Sequence, residues 1–304
     1  MKKHLRFAAI LSTTAIAASG LAACGSNDDS STSSSTPAAA STTASTTPST
    51  SIAVPDKIKS KGTLTVAADA SYAPNEFFGS DGRTVQGMDA DLAQAIGREL
   101  GLRVRVQNAG FDGIIPGLAA GKFDLGMSSF TDTKERERTV DFVTYFSAGT
   151  SFYTKASGGT DVTGLADLCG KTVAVEKGTT QGDDATAQGR KCKSAGKGDV
   201  KVSTFPDQNG ANLAISSGRA QLGMADSPVA DYQVKQSNGQ FKTVGTPYGT
   251  APYGIAIPKN SGLADPVLKA VKELISNGQY KQILTRWGIA DGAITDPVIN
   301  GATS

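Results

Sequence analysis

The chain has 304 residues, 38% of them hydrophobic and 19% charged, with 30 basic and 28 acidic side chains. This apolar fraction is sufficient for a hydrophobic core, which excludes wholesale disorder, and the length fits one large or two ordinary domains. A formal net charge of +2 argues against a nucleic-acid-binding protein that depends on a broad cationic surface.

The first 23 residues have the features of a bacterial export signal. Lys2, Lys3 and Arg6 precede an apolar run that is too short to span a bilayer comfortably. The run ends in Leu-Ala-Ala before Cys24, which resembles the lipobox of bacterial lipoproteins and implies that Cys24 is lipidated. The alternative is a plain secretory peptide with an incidental cysteine. Residues 1–23 are therefore predicted to be a lipoprotein signal peptide.

A segment rich in serine and threonine follows the signal. Residues 25–51 contain no valine, leucine, isoleucine, methionine or aromatic residue, so they cannot bury enough surface to offset the entropy of ordering. Residues 24–55 are predicted to be the lipidated cysteine and a disordered tether. We expect the protein to lie outside the cytoplasmic membrane, anchored to its outer face through Cys24.

Cleavage of the signal removes the single histidine, His4. A mature chain without histidine excludes Ser-His-Asp and Cys-His catalysis and every histidine-based metal site. The sequence also has neither a P-loop nor a dinucleotide fingerprint, so we expect no cofactor and no metal. The two remaining cysteines, Cys169 and Cys192, are an even pair in an exported protein and are predicted to form a disulfide.

Segments of strand and helix character alternate after residue 56. In chain order they are a strand at 64–68, a helix from 89, a strand around 104–106, a helix around 114–118, and strands at 125–127, 172–175, 200–205 and 222–225. A last helical region covers 265–287, and Gly278 divides it into two helices. This alternation predicts an α/β fold with a mainly parallel sheet covered by helices on both faces.

Two segments of the chain are similar to each other. Residues 118–127 and 213–224 each contain a helix end at Gly-Lys or Gly-Arg and a strand that reaches Gly-Met. Polar residues follow both strands, Ser128 and Ser129 in the first copy and Asp226 in the second. In open α/β sheets, ligands bind outside the carboxyl ends of strands. Two such ends that face each other would form a cleft.

Seven short motifs occur in order along most of the chain: YAP at 72–74, GMDADL at 87–92, FDGIIP at 111–116, MSS at 127–129, TKER at 133–136, GTTQ at 178–181 and AD at 225–226. Together they resemble the solute-binding proteins of ABC transporters, in the polar amino-acid-binding family known as bacterial solute-binding protein family 3. The resemblance covers residues 56–290 and implies a two-lobed periplasmic-binding-protein fold of type II. Lobe 1 is expected at 56–152, lobe 2 at 153–250, and the return to lobe 1 with a C-terminal tail at 251–304, with the ligand cleft between the lobes.

The resemblance implies how the two charged ends of an amino acid are held. Arg136 matches the carboxylate-binding arginine, whose planar fork donates two parallel hydrogen bonds, and backbone N–H groups of Thr131 and Thr180 assist it. Asp226 matches the acid that holds the α-ammonium group, with help from Ser129. From the residues alone, Arg136 also fits a solvated helix face, Asp226 a helix cap, and Ser129 and Thr180 ordinary turns.

The same resemblance implies which residues contact the ligand side chain. Tyr72 and Phe111 match positions that sandwich it, although Phe111 also fits a core position. Asp69 and Glu176 match the distal end of the pocket, with Gln181 nearby. Two carboxylates there favour a cationic end such as that of arginine, lysine or histidine, because a buried unpaired negative charge is costly. A glutamine-like neutral ligand is the alternative, since Lys177 beside Glu176 is able to neutralise it.

The expected function is binding and release, not catalysis. Closure of two lobes around an amino acid would present a closed form to the membrane permease of an ABC importer. The chain is expected to be a monomer that binds no nucleic acid. Two alternatives stay open: a dehydratase-like enzyme on the same fold, with Glu176 as general acid, and a ligand-sensing partner of a membrane signalling protein.

Overall fold

The computed structural model describes residues 52–303. The predicted signal peptide at 1–23, the lipidation site Cys24 and nearly all of the tether lie outside these residues. Within them, no helix combines the length and the apolar character that a membrane-spanning helix requires.

Eleven strands and eight helices make up the described part of the chain. The strands are β1 (Thr63–Ala68), β2 (Ser71–Tyr72), β3 (Glu76–Phe78), β4 (Val85–Gln86), β5 (Arg103–Asn108), β6 (Leu125–Gly126), β7 (Val140–Lys155), β8 (Thr172–Glu176), β9 (Lys201–Phe205), β10 (Leu222–Asp226) and β11 (Phe241–Pro258). The helices are α1 (Asp56–Lys61), α2 (Met88–Glu99), α3 (Phe111–Ala119), α4 (Thr180–Ser194), α5 (Gln208–Ser216), α6 (Ser227–Gln236), α7 (Ala264–Ser276) and α8 (Gln279–Trp287). Every predicted strand and helix has a counterpart, and the helical region at the end of the chain divides at Gly278, which has a φ of 79°.

One sheet of eight strands connects the whole described chain, in the order β5-β1-β6-β11-β7-β10-β8-β9. Strands β5, β1 and β6 are parallel to one another, as are β10, β8 and β9. Between these two sets lie β11 and β7, which are antiparallel to each other and to their outer neighbours. The predicted α/β fold with a mainly parallel sheet and flanking helices is confirmed.

The two long antiparallel strands were not predicted. Strand β7 is buried along almost all of its sixteen residues, so its sequence lacks the alternation of a half-exposed strand. Strand β11 contains Gly245, Pro247, Gly249 and Pro252, and its pairing with β7 shifts register in that region. Glycine and proline are turn signals. The expected lobe boundaries, at 152/153 and 250/251, fall inside these two strands and stay a prediction.

The internal similarity in the sequence corresponds to two equivalent positions in the sheet. Strand β6 lies between β1 and β11, and strand β10 lies between β8 and β7. Each therefore joins a parallel set to a long antiparallel strand, and each follows a helix, α3 or α5. The carboxyl ends of β6 and β10 carry Ser129 and Asp226, which line one cavity.

Each parallel set of strands has its own hydrophobic core. Helices α2, α7 and α8 pack on the set that contains β1 and bury residues such as Leu92, Ile96 and Leu284. Strand β8 contributes Val173 and Val175 to a second core, which also contains Cys192. The predicted disulfide between Cys169 and Cys192 is present and joins α4 to the turn before β8, with Cα atoms 5.5 Å apart.

Candidate functional site

One cavity between the two sets of strands brings together all ten residues that the sequence predicted as ligand contacts. Its lining is Asp69, Tyr72, Glu76, Phe111, Ser128, Ser129, Thr131, Arg136, Glu176, Thr179, Thr180, Gln181 and Asp226. The side chains close on one another so tightly that the cavity measures about 10 Å³, the space of about one water molecule. Binding of an amino acid therefore requires the two sides of the cavity to separate.

Ser129 follows strand β6, the strand of the first of the two similar segments, and has an unusual backbone conformation. Its φ is 50°, in the left-handed region that non-glycine residues rarely adopt. Three contacts fix this geometry: the Ser129 N–H donates to Asp89 (2.9 Å), its hydroxyl donates to Glu76 (3.1 Å), and it accepts from the Asn75 amide (2.9 Å). Such strain persists where surrounding contacts over-determine the residue, which is common at functional sites.

Glu76 and Asp89 form a buried pair of carboxyl groups behind Ser129. Glu76 accepts from the hydroxyl groups of Ser128 and Ser129, both at 3.1 Å, and Asp89 accepts from the Tyr145 hydroxyl at 2.7 Å. Burial and the charge of Asp89 raise the pKa of Glu76 well above its usual value, and burial raises that of Asp89 to about 6. Burial therefore favours the protonated form of Glu76.

The Arg136 guanidinium occupies the rim of the cavity and contacts both sides of it. It donates to the Thr131 carbonyl at 2.8 Å and to the Gly178 carbonyl at 2.9 Å. It also lies over the rings of Phe111 and Phe130, 5.4 and 5.5 Å from their centroids, within the range of cation–π attraction. Arg136 is half-buried in a short 3₁₀ turn. The solvated helix face considered from the sequence is thus wrong for this arginine.

Asp226 lines the cavity at the end of β10. Although it precedes α6, its side chain makes no capping hydrogen bond, so the helix-cap interpretation is wrong. Its carboxylate accepts from the Gln181 amide at 2.7 Å, and its backbone N–H donates to the Tyr72 hydroxyl at 3.0 Å. Burial raises the pKa of Asp226 to about 6, which leaves it mainly ionised at pH 7.

Glu176 and Asp69 share one end of the cavity but differ in their partners. Both oxygens of Asp69 are occupied, one by the Ser71 hydroxyl (2.6 Å) and one by the Phe111 N–H (3.0 Å). Glu176 is 3% exposed, and its Oε1 atom has no hydrogen-bond partner. Burial, with the neighbouring charge of Asp69, raises the pKa of Glu176 to about 9. Glu176 is therefore the carboxyl group with free hydrogen-bonding capacity.

Lys177 does not neutralise Glu176, contrary to the alternative considered from the sequence. Its ammonium pairs with Asp112 at 2.7 Å on the exposed lip of the cleft. Successive residues of a strand point to opposite faces. The side chain of Glu176, the last residue of β8, and that of Lys177 therefore point in opposite directions.

Helix α4 begins at the wall of the cavity. Thr179 caps it: its hydroxyl accepts from the Gly182 N–H at 3.3 Å and donates to the Glu176 carbonyl at 2.7 Å. The first turn of a helix leaves backbone N–H groups without partners inside the helix, and these favour an anion. Thr180 and Gln181 occupy this first turn.

Three lining residues were absent from the sequence-based set. Ser128 and Thr179 are direct neighbours of the predicted Ser129 and Thr180. Glu76 directly precedes Phe77 and Phe78 in strand β3. An acid beside two aromatic residues in so short a strand is the sequence feature that marks Glu76 as a candidate site residue.

Comparison with known proteins gives a consistent match. The sequence profile described as bacterial extracellular solute-binding proteins, family 3, matches residues 64–290. The arginine-binding protein ArgT of Corynebacterium glutamicum is 31% identical over 254 residues, which cover 83% of this chain and 83% of ArgT. A solved structure of an ancestral arginine-binding protein bound to arginine matches with a TM-score of 0.68 and 38% identity, over 75% of this chain and 98% of its own. A structure of an ancestral arginine-binding protein bound to glutamine gives a TM-score of 0.67, also at 38% identity and over 75% of this chain and 98% of its own.

Proposed function

Because the chain belongs to family 3 of the bacterial extracellular solute-binding proteins, we propose that it captures a basic amino acid, with arginine as the best ligand, and delivers it to the permease of an ABC importer. The chain binds and releases its ligand without chemical turnover.

The charge of the cavity carries this proposal. Four carboxyl side chains, those of Asp69, Glu76, Glu176 and Asp226, line it together with the guanidinium of Arg136. Burial raises the pKa of these acids, so protons neutralise part of this charge. A second cationic group on the ligand favours the ionised form of Glu176 and pairs with it, whereas the side chain of a neutral amino acid gives no such compensation. Burying a charge without a partner is costly, so the cavity favours the basic ligand.

The geometry supports one orientation of the ligand. Its carboxylate binds Arg136 and the backbone N–H groups at Thr131 and at the start of α4. Its ammonium group binds Asp226, with the Ser129 hydroxyl as a second acceptor. The side chain then runs between Tyr72 and Phe111.

The distal end of the ligand side chain reaches Glu176 in this orientation. Oε1 of Glu176 lacks a hydrogen-bond partner, and a guanidinium supplies both the positive charge and the donors. The Gln181 amide donates to Asp226 and holds it in place, and Asp69 adds negative charge near Glu176. Relatives support arginine: ArgT is named an arginine-binding protein, and the ancestral protein contains arginine in its structure.

Binding and closure are coupled through contacts that span the cleft. In the described residues, Arg136 contacts the Gly178 carbonyl and Asp226 contacts Tyr72. A bound amino acid takes the place of the Arg136 contact and still joins both sides, so its affinity is greater for the closed than for the open arrangement. That differential affinity shifts the equilibrium toward closure, and the permease recognises the closed form.

The location proposed for this protein is the outer face of the cytoplasmic membrane. The family is extracellular, and the N-terminal sequence supports a lipid anchor at Cys24. The folded part acts as a monomer tethered by residues 24–55.

A neutral polar ligand such as glutamine is the second candidate, and one observation favours it. With a pKa of about 9, Glu176 is protonated in the ligand-free cavity and is then able to donate to a side-chain carbonyl. The ancestral protein bound to glutamine is consistent with a neutral ligand.

A protonated acid in a cleft also has the property needed of the general acid in a dehydratase-like enzyme.

A thermal-unfolding screen of the twenty amino acids with ornithine and citrulline tests the proposal, because a ligand that binds only the native state raises the melting temperature. Arginine is expected to give the largest shift, followed by lysine and ornithine. A larger shift with glutamine than with arginine would favour the neutral ligand. Chemical change of a bound compound, followed by mass spectrometry, would establish turnover, and a screen without any shift would contradict amino-acid binding.

A further inference from the structure

Residues 298–302, here called the C-terminal strap, run along strand β7. Ile299 forms an antiparallel bridge with Val143, which also pairs with Ile255 of β11 on its other side. The strap therefore covers an edge of β7 whose backbone groups otherwise lack partners. This contact lies beyond residues 64–290, the part that the family profile matches.

Backbone and side-chain hydrogen bonds fix the strap on this edge. The Thr144 N–H donates to the Val298 carbonyl, the Asn300 N–H donates to the Phe142 carbonyl, and the Phe142 N–H donates to the Asn300 side-chain carbonyl, each at 2.9 Å. The Asn300 amide also donates to Asp141 at 3.1 Å.

The strap then turns toward the loop of residues 131–137. Asn300 has a φ of 56°, and after this turn the Gly301 N–H donates to Asp132 at 2.8 Å and the Ala302 N–H donates to Glu137 at 3.2 Å. A Cβ atom on Gly301 would lie 2.8 Å from side-chain carbons of both Thr144 and Val298. Glycine is therefore required for the strap to approach this closely.

Both strap contacts on this loop fall next to cavity residues. Asp132 follows Thr131, and Glu137 follows Arg136. Asp132 is fully buried, and its Oδ1 atom has no partner, so its hydrogen bond with Gly301 is the main compensation for burying the group. Burial, with the charge of Glu137, raises the pKa of Asp132 to about 6; it is mainly ionised at pH 7. Without the strap, this carboxylate must reach water or move.

We propose that the C-terminal strap is a positioning element of the ligand site: it holds residues 131–137 so that Arg136 and Thr131 face the ligand carboxylate. This inference rests on the proposed function. None of its residues lines the cavity, and it reaches the site through its contacts with Asp132 and Glu137.

The test compares L-arginine with L-argininamide, in which a neutral amide replaces the carboxylate, by calorimetry on three variants. Gly301→Val and a chain ending at residue 297 remove the strap contacts, and Thr303→Ala, an exposed neighbour, is the control. The preference for arginine over argininamide is expected to fall by about tenfold in the first two variants and to stay unchanged in the control.

Loss of affinity for both ligands by the same factor would overturn the inference, since a general loss of structure weakens both. If the shortened chain does not fold, Asn300→Ala takes its place, because it removes only one side chain that holds the strap. The ratio of the affinities for arginine and argininamide is then the deciding measurement. Failure of the native chain to bind either ligand would instead contradict the proposed function.

Discussion

Arg136 donates a hydrogen bond across the cleft to the carbonyl of Gly178, over 2.9 Å. The group expected to hold a ligand carboxylate is thus one of the contacts that join the two sides of the cavity. We expect a ligand carboxylate to displace the Gly178 carbonyl from these N–H donors, because a charged acceptor forms the stronger hydrogen bond.

Arg136→Ala is expected to weaken arginine binding by about 2–5 kcal/mol, the cost of leaving a buried charge without its partner. Arg136→Lys keeps the charge but loses the planar fork, so its affinity for arginine should lie between that of the native protein and that of Arg136→Ala. Arg138→Ala, at an exposed position in the same turn, is the matched control for calorimetry. If Arg136→Ala binds arginine as tightly as the control does, Arg136 does not bind the ligand carboxylate.

Glu176→Gln is expected to change selectivity as well as affinity. The amide keeps the size of the side chain but no longer ionises, so arginine and lysine should lose much more affinity than glutamine. Asp112→Asn, which breaks the exposed contact with Lys177 on the cleft lip, is the control and should affect all ligands little, because exposed ion pairs contribute about 0–1 kcal/mol. Equal losses for all ligands in Glu176→Gln would contradict a cationic substrate.

The same substitution is expected to stabilise the ligand-free protein. The pKa of Glu176 is about 9 in the folded state against a usual value of 4.5. Between these two pH values the unfolded chain releases a proton that the folded chain keeps, so the native protein loses stability as pH rises. Glu176→Gln removes this loss, and its melting temperature should exceed that of the native chain near pH 8. A lower melting temperature at that pH would show that Glu176 is not buried as a neutral acid.

Arginine binding is expected to release about one proton near pH 7, because the guanidinium favours the ionised form of Glu176. Affinity should therefore rise with pH between about 6.5 and 8. Protonation of Asp226, whose pKa is about 6, should weaken binding further at lower pH. Calorimetry in buffers of different ionisation enthalpy measures the proton count, and Glu176→Gln should abolish the release. Binding of arginine without proton exchange would contradict this role.

Removal of the disulfide is expected to affect stability but not binding. Cys169 and Cys192 are 23 residues apart, and opening a loop of this size lowers the free energy of unfolding by about 3 kcal/mol. Neither cysteine lines the cavity. Urea unfolding of the double alanine variant, beside its Kd for arginine, tests both parts; a large loss of affinity at unchanged stability would contradict them.

The sequence predicted the parallel strands and their helices because short apolar runs and acidic first turns are local signals. It did not predict β7 and β11, since burial on both faces and internal glycine and proline conceal a strand. All ten residues predicted to contact the ligand line one cavity, because motifs at strand ends converge in this fold. Strand alternation was sufficient to predict that the Lys177 side chain points away from Glu176. The pairing of Glu76 with Asp89, and of the strap with Asp132, depends on tertiary contacts that have no local signal.

The most direct test of the central claim is calorimetric titration of the native protein with L-arginine and L-citrulline at neutral pH. The two ligands have nearly the same shape, but citrulline has a neutral ureido group where arginine has a guanidinium. We expect arginine to bind at least about tenfold more tightly, since the difference is one buried ion pair with Glu176. Equal affinities, or tighter binding of citrulline, would contradict a receptor for basic amino acids.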